Sequence, residues 1–283
     1  DFLRYHRNFY AKSAEVASKN KVKAYLINLK ENRTRAQMLI KTLQSHRVEA
    51  YDLKKSITVK GKRFAKGDAI VIPTNQPQTR FISGVMEKMT TFEDSLFYDV
   101  SSWTLPLAFG VDYYEVKQKP DAFLGAELNT LSLDGGRLIG GKASTAYLMP
   151  WNRYYNPKSL YRILDAGILP RLTTAPFTAS IEGKKIKFKR GTIIIPVAQR
   201  DADATITPAE IHTLMEELAS KNHVEIYATN SAATPNGPDL GGAFQEVLKK
   251  PKVAILSGEG TSSYGTGELW HLIDNRMRIS VSL

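Results

Sequence analysis

Two glutamines stand at matching places in the chain, each three residues after a proline that closes an apolar run. The first follows Pro73 and the second follows Pro196. A glutamine amide both donates and accepts hydrogen bonds, which suits a polar ligand. In open α/β sheets, ligands gather just beyond the ends of the strands. The candidate ligand-binding residues are therefore Asn75, Gln76, Gln199 and Arg200.

The same Pro-x-x-Gln motif also has a purely structural interpretation. A proline ends a strand because it has no N–H to donate to the ladder, and a glutamine begins the turn that follows. The sequence favours this scaffold role over ligand binding. Both alternatives remain open at the level of the sequence.

The stretches that contain the two glutamines are nearly the same, which predicts an internal duplication. Residues 61–76 read GKRFAKGDAIVIPTNQ, and residues 183–199 read GKKIKFKRGTIIIPVAQ. The separation is too long for a solenoid, whose repeat is roughly 20 to 50 residues. The triplet AYL at 24–26 also recurs at 146–148. We therefore expect two copies of one unit.

Catalytic chemistry finds little support in the remaining residues. The chain has no cysteine, which excludes disulfides, cysteine-ligated zinc and a cysteine nucleophile. It contains no G-x-S-x-G elbow of the kind that presents a serine nucleophile. The glycine-rich stretch at 258–268 lacks a Walker lysine and the G-x-G-x-x-G pattern, so it predicts a β-to-α connection. We predict no catalytic residue.

The five histidines do not form a recognisable metal motif. His212 and Glu216 lie one helical turn apart, as do Glu268, His271 and Asp274. Such spacing can serve zinc on one helix, but no H-E-x-x-H motif occurs. We expect no metal ligand and no cofactor in this chain.

The formal net charge of +11 raises the question of a polyanionic partner. Residues 184–190, KKIKFKR, carry five positive charges, but lysines there alternate with Ile186 and Phe188. Alternation of this kind is typical of a strand with one solvated and one packed face. A solvated face is the favoured interpretation and a polyanion-binding patch is the alternative. We predict no nucleic-acid partner.

The order of the patterns predicts an α/β fold. Short apolar runs alternate with amphipathic helical stretches, which indicates two duplicated units with mostly parallel sheets flanked by helices. Each unit also carries one β-hairpin, at Lys60–Gly61 in the first copy. The expected boundaries are an entry helix at 1–20, units at 21–120 and 121–250, and a further strand-loop-helix-strand element at 251–283.

No apolar run reaches the roughly 18 to 20 residues of a membrane span. The chain opens at Asp1 and closes on the alternating pattern RISVSL, so we expect a fragment of a longer protein. Trp103 and the tyrosine clusters at 112–114 and 151–155 lie outside the predicted helices. We expect these rings to be buried as packing between the units, the alternative being an exposed ligand platform.

Three stretches carry a resemblance to a known group of proteins: residues 2–15, 97–116 and 267–277. They resemble the region downstream of the zinc carboxypeptidase-like domain in large bacterial proteins of the carboxypeptidase A superfamily. The C-terminal part of that region is similar in fold to class I glutamine amidotransferases. The resemblance implies a secreted or periplasmic location, an upstream peptidase domain as partner, and zinc in that domain.

The catalytic groups of both families are missing here. No zinc ligand of the peptidase family is carried over to a residue of this chain, and no cysteine is present to act as an amidotransferase nucleophile. The sequence therefore predicts a non-catalytic accessory or scaffold region of a protein whose peptidase activity lies elsewhere. The alternative is a two-lobed module that holds a polar ligand or glycan near Gln76 and Gln199.

Overall fold

The computed structural model describes residues 1–88, 104–129, 136–199 and 206–283. The chain divides into two compact units, Asp1–Leu133 and Asp134–Leu283. Both are mixed α/β units, as expected, although their sheets differ from the predicted ones.

The first unit contains two entry helices, a five-stranded sheet and a separate two-stranded hairpin. Its elements are α1 (Phe2–Ala11), α2 (Ser13–Lys19), β1 (Ala24–Asn28), α3 (Arg33–Ser45), β2 (Tyr51–Leu53), β3 (Ile57–Val59), β4 (Lys62–Phe64), β5 (Ala69–Pro73), α4 (Thr79–Met86), α5 (Leu105–Ala108), β6 (Tyr113–Val116) and β7 (Leu124–Glu127). The strand order is β6-β1-β5-β2-β7, and every neighbouring pair is antiparallel.

The second unit repeats this arrangement with one added strand and a C-terminal extension. Its elements are β8 (Arg137–Ile139), β9 (Ala146–Met149), α6 (Asn156–Asp165), β10 (Arg171–Thr173), β11 (Phe177–Ile181), β12 (Lys184–Phe188), β13 (Ile193–Pro196), α7 (Pro208–Asn222), β14 (Glu225–Thr229), β15 (Gln245–Val247), β16 (Val253–Ala254), α8 (Ser263–Trp270), a π-helical turn (His271–Arg276) and β17 (Val281–Ser282). The main sheet has the order β15-β10-β13-β9-β14-β8. Only its β14–β8 pair is parallel.

The prediction of mostly parallel sheets is wrong, and the connections explain why. Helix α3 links β1 to β2, but β5 lies between them and runs antiparallel to both. The β-α-β crossover predicted from the sequence is therefore split by a third strand, as in ferredoxin-like units. In the second unit β13 separates β9 from β10 in the same way. Short apolar runs do not distinguish a buried parallel strand from a buried antiparallel one.

Helices cover one face of each sheet and the hairpin covers the other. In the first unit, Tyr25 and Ile72 pack with α3 and α4, while Leu26 and Val71 pack with Phe64 of the hairpin. In the second unit, Tyr147 and Ile195 pack with α6 and α7. Ala146, Leu148 and Ile194 pack on the opposite face with β11 and β12. Helices were expected on both faces of each sheet, but a β-hairpin covers one face in place of a helix.

Local sequence signals account for several boundaries. The hairpin prediction is confirmed: β3 and β4 pair across Lys60 and Gly61, both with positive φ, which the twist of a two-residue turn requires. The β11–β12 hairpin turns in the same way at Glu182 and Gly183. Helix α7 begins with a capping box, in which the side chains of Thr207 and Glu210 each accept a hydrogen bond from the other's backbone N–H.

The C-terminal segment follows the predicted order of strand, glycine-rich connection, helix and strand. Strands β16 and β17 pair in parallel, with α8 and the π-helical turn between them in the chain. Ser262 caps α8 by accepting a hydrogen bond from the N–H of Gly265 at 3.3 Å. The predicted strand at 96–100 lies outside the described residues. In the first sheet β6 pairs with β1, as β14 pairs with β9 in the second.

Candidate functional site

A cavity of about 360 Å³ in the second unit contains Gln199, one of the predicted residues. It lies on the hairpin side of the sheet, where β9 begins, β13 ends and β10 begins. Nearly half of its wall surface is polar, and its apolar lining residues include Leu169, Ile194, Leu240 and Val247. The polar side chains that line it are Thr145, Arg171, Gln199 and Gln245.

The carboxamide of Gln199 joins two segments of this unit. Its Oε1 accepts a hydrogen bond from the N–H of Leu169 at 2.9 Å. Its Nε2 donates to the carbonyl oxygen of Pro196 at 2.6 Å. The side chain thus holds the end of β13 against the residues that lead into β10. The described residues occupy one of its two amide hydrogens.

Gln76 makes the same bridge in the first unit, with one more hydrogen bond. Its Oε1 accepts from the N–H of Glu49 at 2.8 Å, and its Nε2 donates to the carbonyl oxygens of Pro73 at 2.7 Å and Glu49 at 3.1 Å. Gln76 is only 6% exposed. Both of its amide hydrogens and its amide oxygen are hydrogen-bonded to backbone groups. The Pro-x-x-Gln motif therefore has a structural role in this unit.

Arg171 is the charged residue that the sequence analysis missed. It lies on β10 opposite Ile194, half-buried, at the wall of the cavity. Within the described ranges, its guanidinium has no hydrogen-bond or ion-pair partner. No guanidinium nitrogen of Arg171 is among the buried, unpartnered side-chain atoms of the described residues, so the group is accessible to solvent and to a ligand. Among the described residues that line the cavity, Arg171 is the one with a charged side chain.

Tyr51 takes the place of Arg171 in the first unit. Tyr51 pairs with Val71 of β5, as Arg171 pairs with Ile194 of β13. Its hydroxyl donates to the carboxylate of Glu49 at 2.9 Å. Burial and this hydrogen bond raise the pKa of Tyr51 to about 12, so the hydroxyl stays protonated and remains a donor. The first unit thus satisfies this position internally.

A folded loop closes one side of the cavity. The side chain of Gln245 accepts from the N–H of Gly241 at 2.9 Å and donates to the carbonyl oxygen of Asp239 at 3.1 Å. Asp239 in turn accepts from the N–H of Thr234 at 2.7 Å. These bonds hold Leu240 at the cavity wall, where its apolar side chain faces Ile194 and its neighbours.

The structure brings together only part of the predicted set. Asn75 is exposed and belongs, with Gln76, to the first unit, whereas Gln199 belongs to the second. Arg200 lies outside the described residues. Ligand binding by these four residues stays a prediction. Arg171 could have been found from the sequence only by aligning it with Tyr51, where a charge replaces an aromatic residue in a short strand.

A second polar cluster lies on the helix side of the same unit. The hydroxyl of Tyr147 lies 2.8 Å from Nδ1 of His212, and Nε2 of His212 lies 3.5 Å from Oε1 of Glu216. The N–H of Ala143 also donates to this hydroxyl at 3.1 Å. Burial raises the pKa of Tyr147, whose side chain is inaccessible to solvent. The cluster therefore anchors α7 to the sheet.

Metal ligation and aromatic packing can be described for the same ranges. Among the described residues, no three histidine, aspartate or glutamate side chains gather in a group that could hold a metal ion. Tyr114 packs against Phe64 at 5.0 Å between ring centroids, and Tyr25 lies 6.1 Å from Tyr113. Trp151 is 45% exposed, and Trp103 lies outside the described ranges.

Within the described parts of the chain, no helix has the length and apolar character that crossing a membrane requires. Comparison with protein-family models, with curated proteins and with solved structures found no match.

Proposed function

We propose that the chain is a non-catalytic accessory region built from two duplicated units. The observation that carries this proposal is the matched use of Gln76 and Gln199, each of which ties the end of a strand to the residues before another strand. Side chains that hold backbone segments together in both units are components of a scaffold.

Duplication is supported by the backbone as well as by the sequence. The strands β6-β1-β5-β2-β7 correspond one by one to β14-β9-β13-β10-β15. Gly61 and Gly183 both have φ of 75°, and Gly67 and Gly191 both have φ of 86°. Both hairpins are inserted at the same point of the split β-α-β arrangement. Matching strand order and matching turns favour a common origin over independent convergence.

The proposed parent is a zinc carboxypeptidase-like protein, and this part rests on the resemblance of the three sequence stretches. On this proposal the partner is a peptidase domain in the same polypeptide, which holds the zinc and cleaves peptides. The location would be secreted or periplasmic. The role of the chain is then to pack against that domain and shape substrate access.

The test combines the coding sequence with an assay. The chain alone, supplied with zinc and a peptide that has a free C-terminus, is expected to release no C-terminal residue. Added to the peptidase domain expressed separately, it is expected to raise that domain's melting temperature or change its kcat/KM. A coding sequence without such a domain, or zinc-dependent hydrolysis by the chain alone, would contradict the proposal.

A second candidate function is favoured by the cavity in the second unit. Its volume of about 360 Å³ lies in the range of small-molecule sites, typically about 300 to 1,000 Å³, and both apolar and polar side chains line it. A module that binds a polar ligand or glycan near Gln199 would use this cavity. Titration of the chain with a panel of neutral mono- and oligosaccharides, followed by NMR, tests it.

A further inference from the structure

We infer that the cavity of the second unit binds a monocarboxylate that carries an apolar group, with Arg171 as its anchor. This inference does not depend on the accessory role proposed above. It assigns a ligand class to a site where the first unit, with the same strand order, has Tyr51 hydrogen-bonded to Glu49.

The charge of the cavity selects the charge of the ligand. Arg171 is the one charged side chain among the lining residues, and its guanidinium has no polar partner in the described part of the chain. A carboxylate carries a single negative charge and fits the planar fork of a guanidinium through two parallel hydrogen bonds. A phosphate dianion would leave about one negative charge uncompensated by the described lining residues. The geometry therefore favours a carboxylate.

Gln199 provides a second donor next to Arg171. Its Nε2 donates to Pro196, and the other amide hydrogen is not engaged by the described residues. In Gln76 the corresponding hydrogen donates to Glu49. The second unit thus differs from the first in leaving one amide donor and one guanidinium at the same cavity.

The apolar lining residues favour an apolar group next to the carboxylate of the ligand. Leu169, Leu240 and Val247 line the cavity, and Val247 is 48% exposed. Covering these side chains removes apolar surface from water, which stabilises a complex by roughly 25 cal/mol per Å² before the cost of association. An aliphatic group attached near the carboxylate meets both requirements.

The test uses the full chain and a matched pair of ligands. N-acetyl-leucine carries the carboxylate and an aliphatic side chain, and N-acetyl-leucinamide has the same shape without the charge. Binding is measured by chemical-shift titration of backbone amides. We expect N-acetyl-leucine to bind at least tenfold more tightly than the amide and to shift the resonances of Gly241 and Leu169. Equal affinity of the two ligands, or no binding of the acid, overturns the inference.

A variant locates the interaction at Arg171. Arg171→Met keeps the apolar stem and removes the charge, and we expect it to weaken binding of N-acetyl-leucine at least tenfold. Arg162→Met, on the exposed side of α6, serves as the matched control and should bind like the unmodified chain. Unchanged binding by a folded Arg171→Met protein rejects the assignment. If that variant does not fold, the comparison of acid and amide on the unmodified chain still decides the question.

Discussion

The two units share a strand order but use one position of the sheet differently. In the first unit Tyr51 donates a hydrogen bond to Glu49, and Gln76 is fully occupied by backbone groups. In the second unit Arg171 stands in place of Tyr51 beside a cavity, and Gln199 makes one hydrogen bond fewer. The comparison shows that both units share the glutamine side chain that links two backbone segments. The neighbouring side chain, Tyr51 or Arg171, differs: Tyr51 is hydrogen-bonded within its unit, whereas Arg171 lines a cavity.

The units also differ in the ion pair made by an acidic residue at the start of the strand that pairs with β1 or β9. This strand is β6 in the first unit and β14 in the second. In the second unit Glu225 forms a salt bridge of 2.9 Å with Arg153. The side chain of Glu225 is 18% exposed and that of Arg153 is 8% exposed. In the first unit Asp112 takes the corresponding place, 58% exposed and 3.8 Å from Lys62. Four experiments, from the largest expected effect to the smallest, test how far the two units differ.

The largest effect is expected from the buried ion pair. Glu225→Ala leaves the guanidinium of Arg153 buried without its partner, which should lower the free energy of unfolding by about 3 to 5 kcal/mol. Asp112→Ala, the matched change in the first unit, should cost no more than about 1 kcal/mol because the pair is exposed. Urea denaturation, with hydrogen exchange of peptides from each unit, measures both. Equal losses would show that the units do not differ here.

The next effect concerns the two glutamines. Gln76→Leu removes three hydrogen bonds to buried backbone groups and should cost about 2 to 3 kcal/mol. Gln199→Leu removes two, beside an open cavity, and should cost about 1 to 2 kcal/mol. The same denaturation experiment ranks them. A larger loss for Gln199→Leu would reverse the proposed relation between the closed and the open unit.

Alkaline pH should destabilise the first unit through Tyr25. Burial, and secondarily the carboxylate of Glu115, raise the pKa of Tyr25 to about 12 from its usual 10. Because the folded pKa is the higher one, the stabilisation is complete below pH 10 and is lost as pH rises through about 12. Two pKa units correspond to a loss of roughly 3 kcal/mol.

Tyr25→Phe should remove the part of this pH dependence that Tyr25 contributes, while Tyr51, whose pKa is also raised to about 12, keeps its own part. Unfolding free energies at pH 9 and pH 11.5 provide the measurement, and Tyr5→Phe is the control, since Tyr5 is 69% exposed. An alkaline loss of equal size in the Tyr25→Phe protein would assign the effect to other groups.

The smallest effect compares two helix ends. Arg47 and Gly167 follow α3 and α6 in the left-handed conformation, with φ of 61° and 75°. The residue that follows each of them donates its backbone N–H to a carbonyl oxygen in the last turn of the helix. Val48 donates to Leu43, and Ile168 donates to Ile163. Arg47→Gly should stabilise the first unit by about 1 kcal/mol, because glycine has no Cβ strain there. Gly167→Arg should destabilise the second unit by a similar amount. Melting temperatures that do not move in opposite directions would contradict this equivalence.

The sequence by itself determined the local features of both units. The dipeptides Lys60–Gly61 and Glu182–Gly183 specify two-residue hairpin turns, since both positions need positive φ. The capping box of Thr207 and Glu210 marks the start of helix α7. The triplet AYL at 24–26 and 146–148 lies in β1 and β9, which occupy the same place in the order of the two sheets. These features depend on residues close together in the chain, so short-range patterns suffice to predict them.

Only the tertiary structure decided the sheet topology and the candidate site. The antiparallel strand β5 enters between β1 and β2 because the crossover through α3 leaves room for a third strand, and no local pattern reports that gap. The bridge from Gln76 to Glu49 joins residues 27 positions apart, and that from Gln199 to Leu169 joins residues 30 apart. Arg171 faces a cavity because strands and a loop that are distant in sequence surround it. Such contacts arise from the packing of whole elements, and a residue's own neighbours in the chain do not encode them.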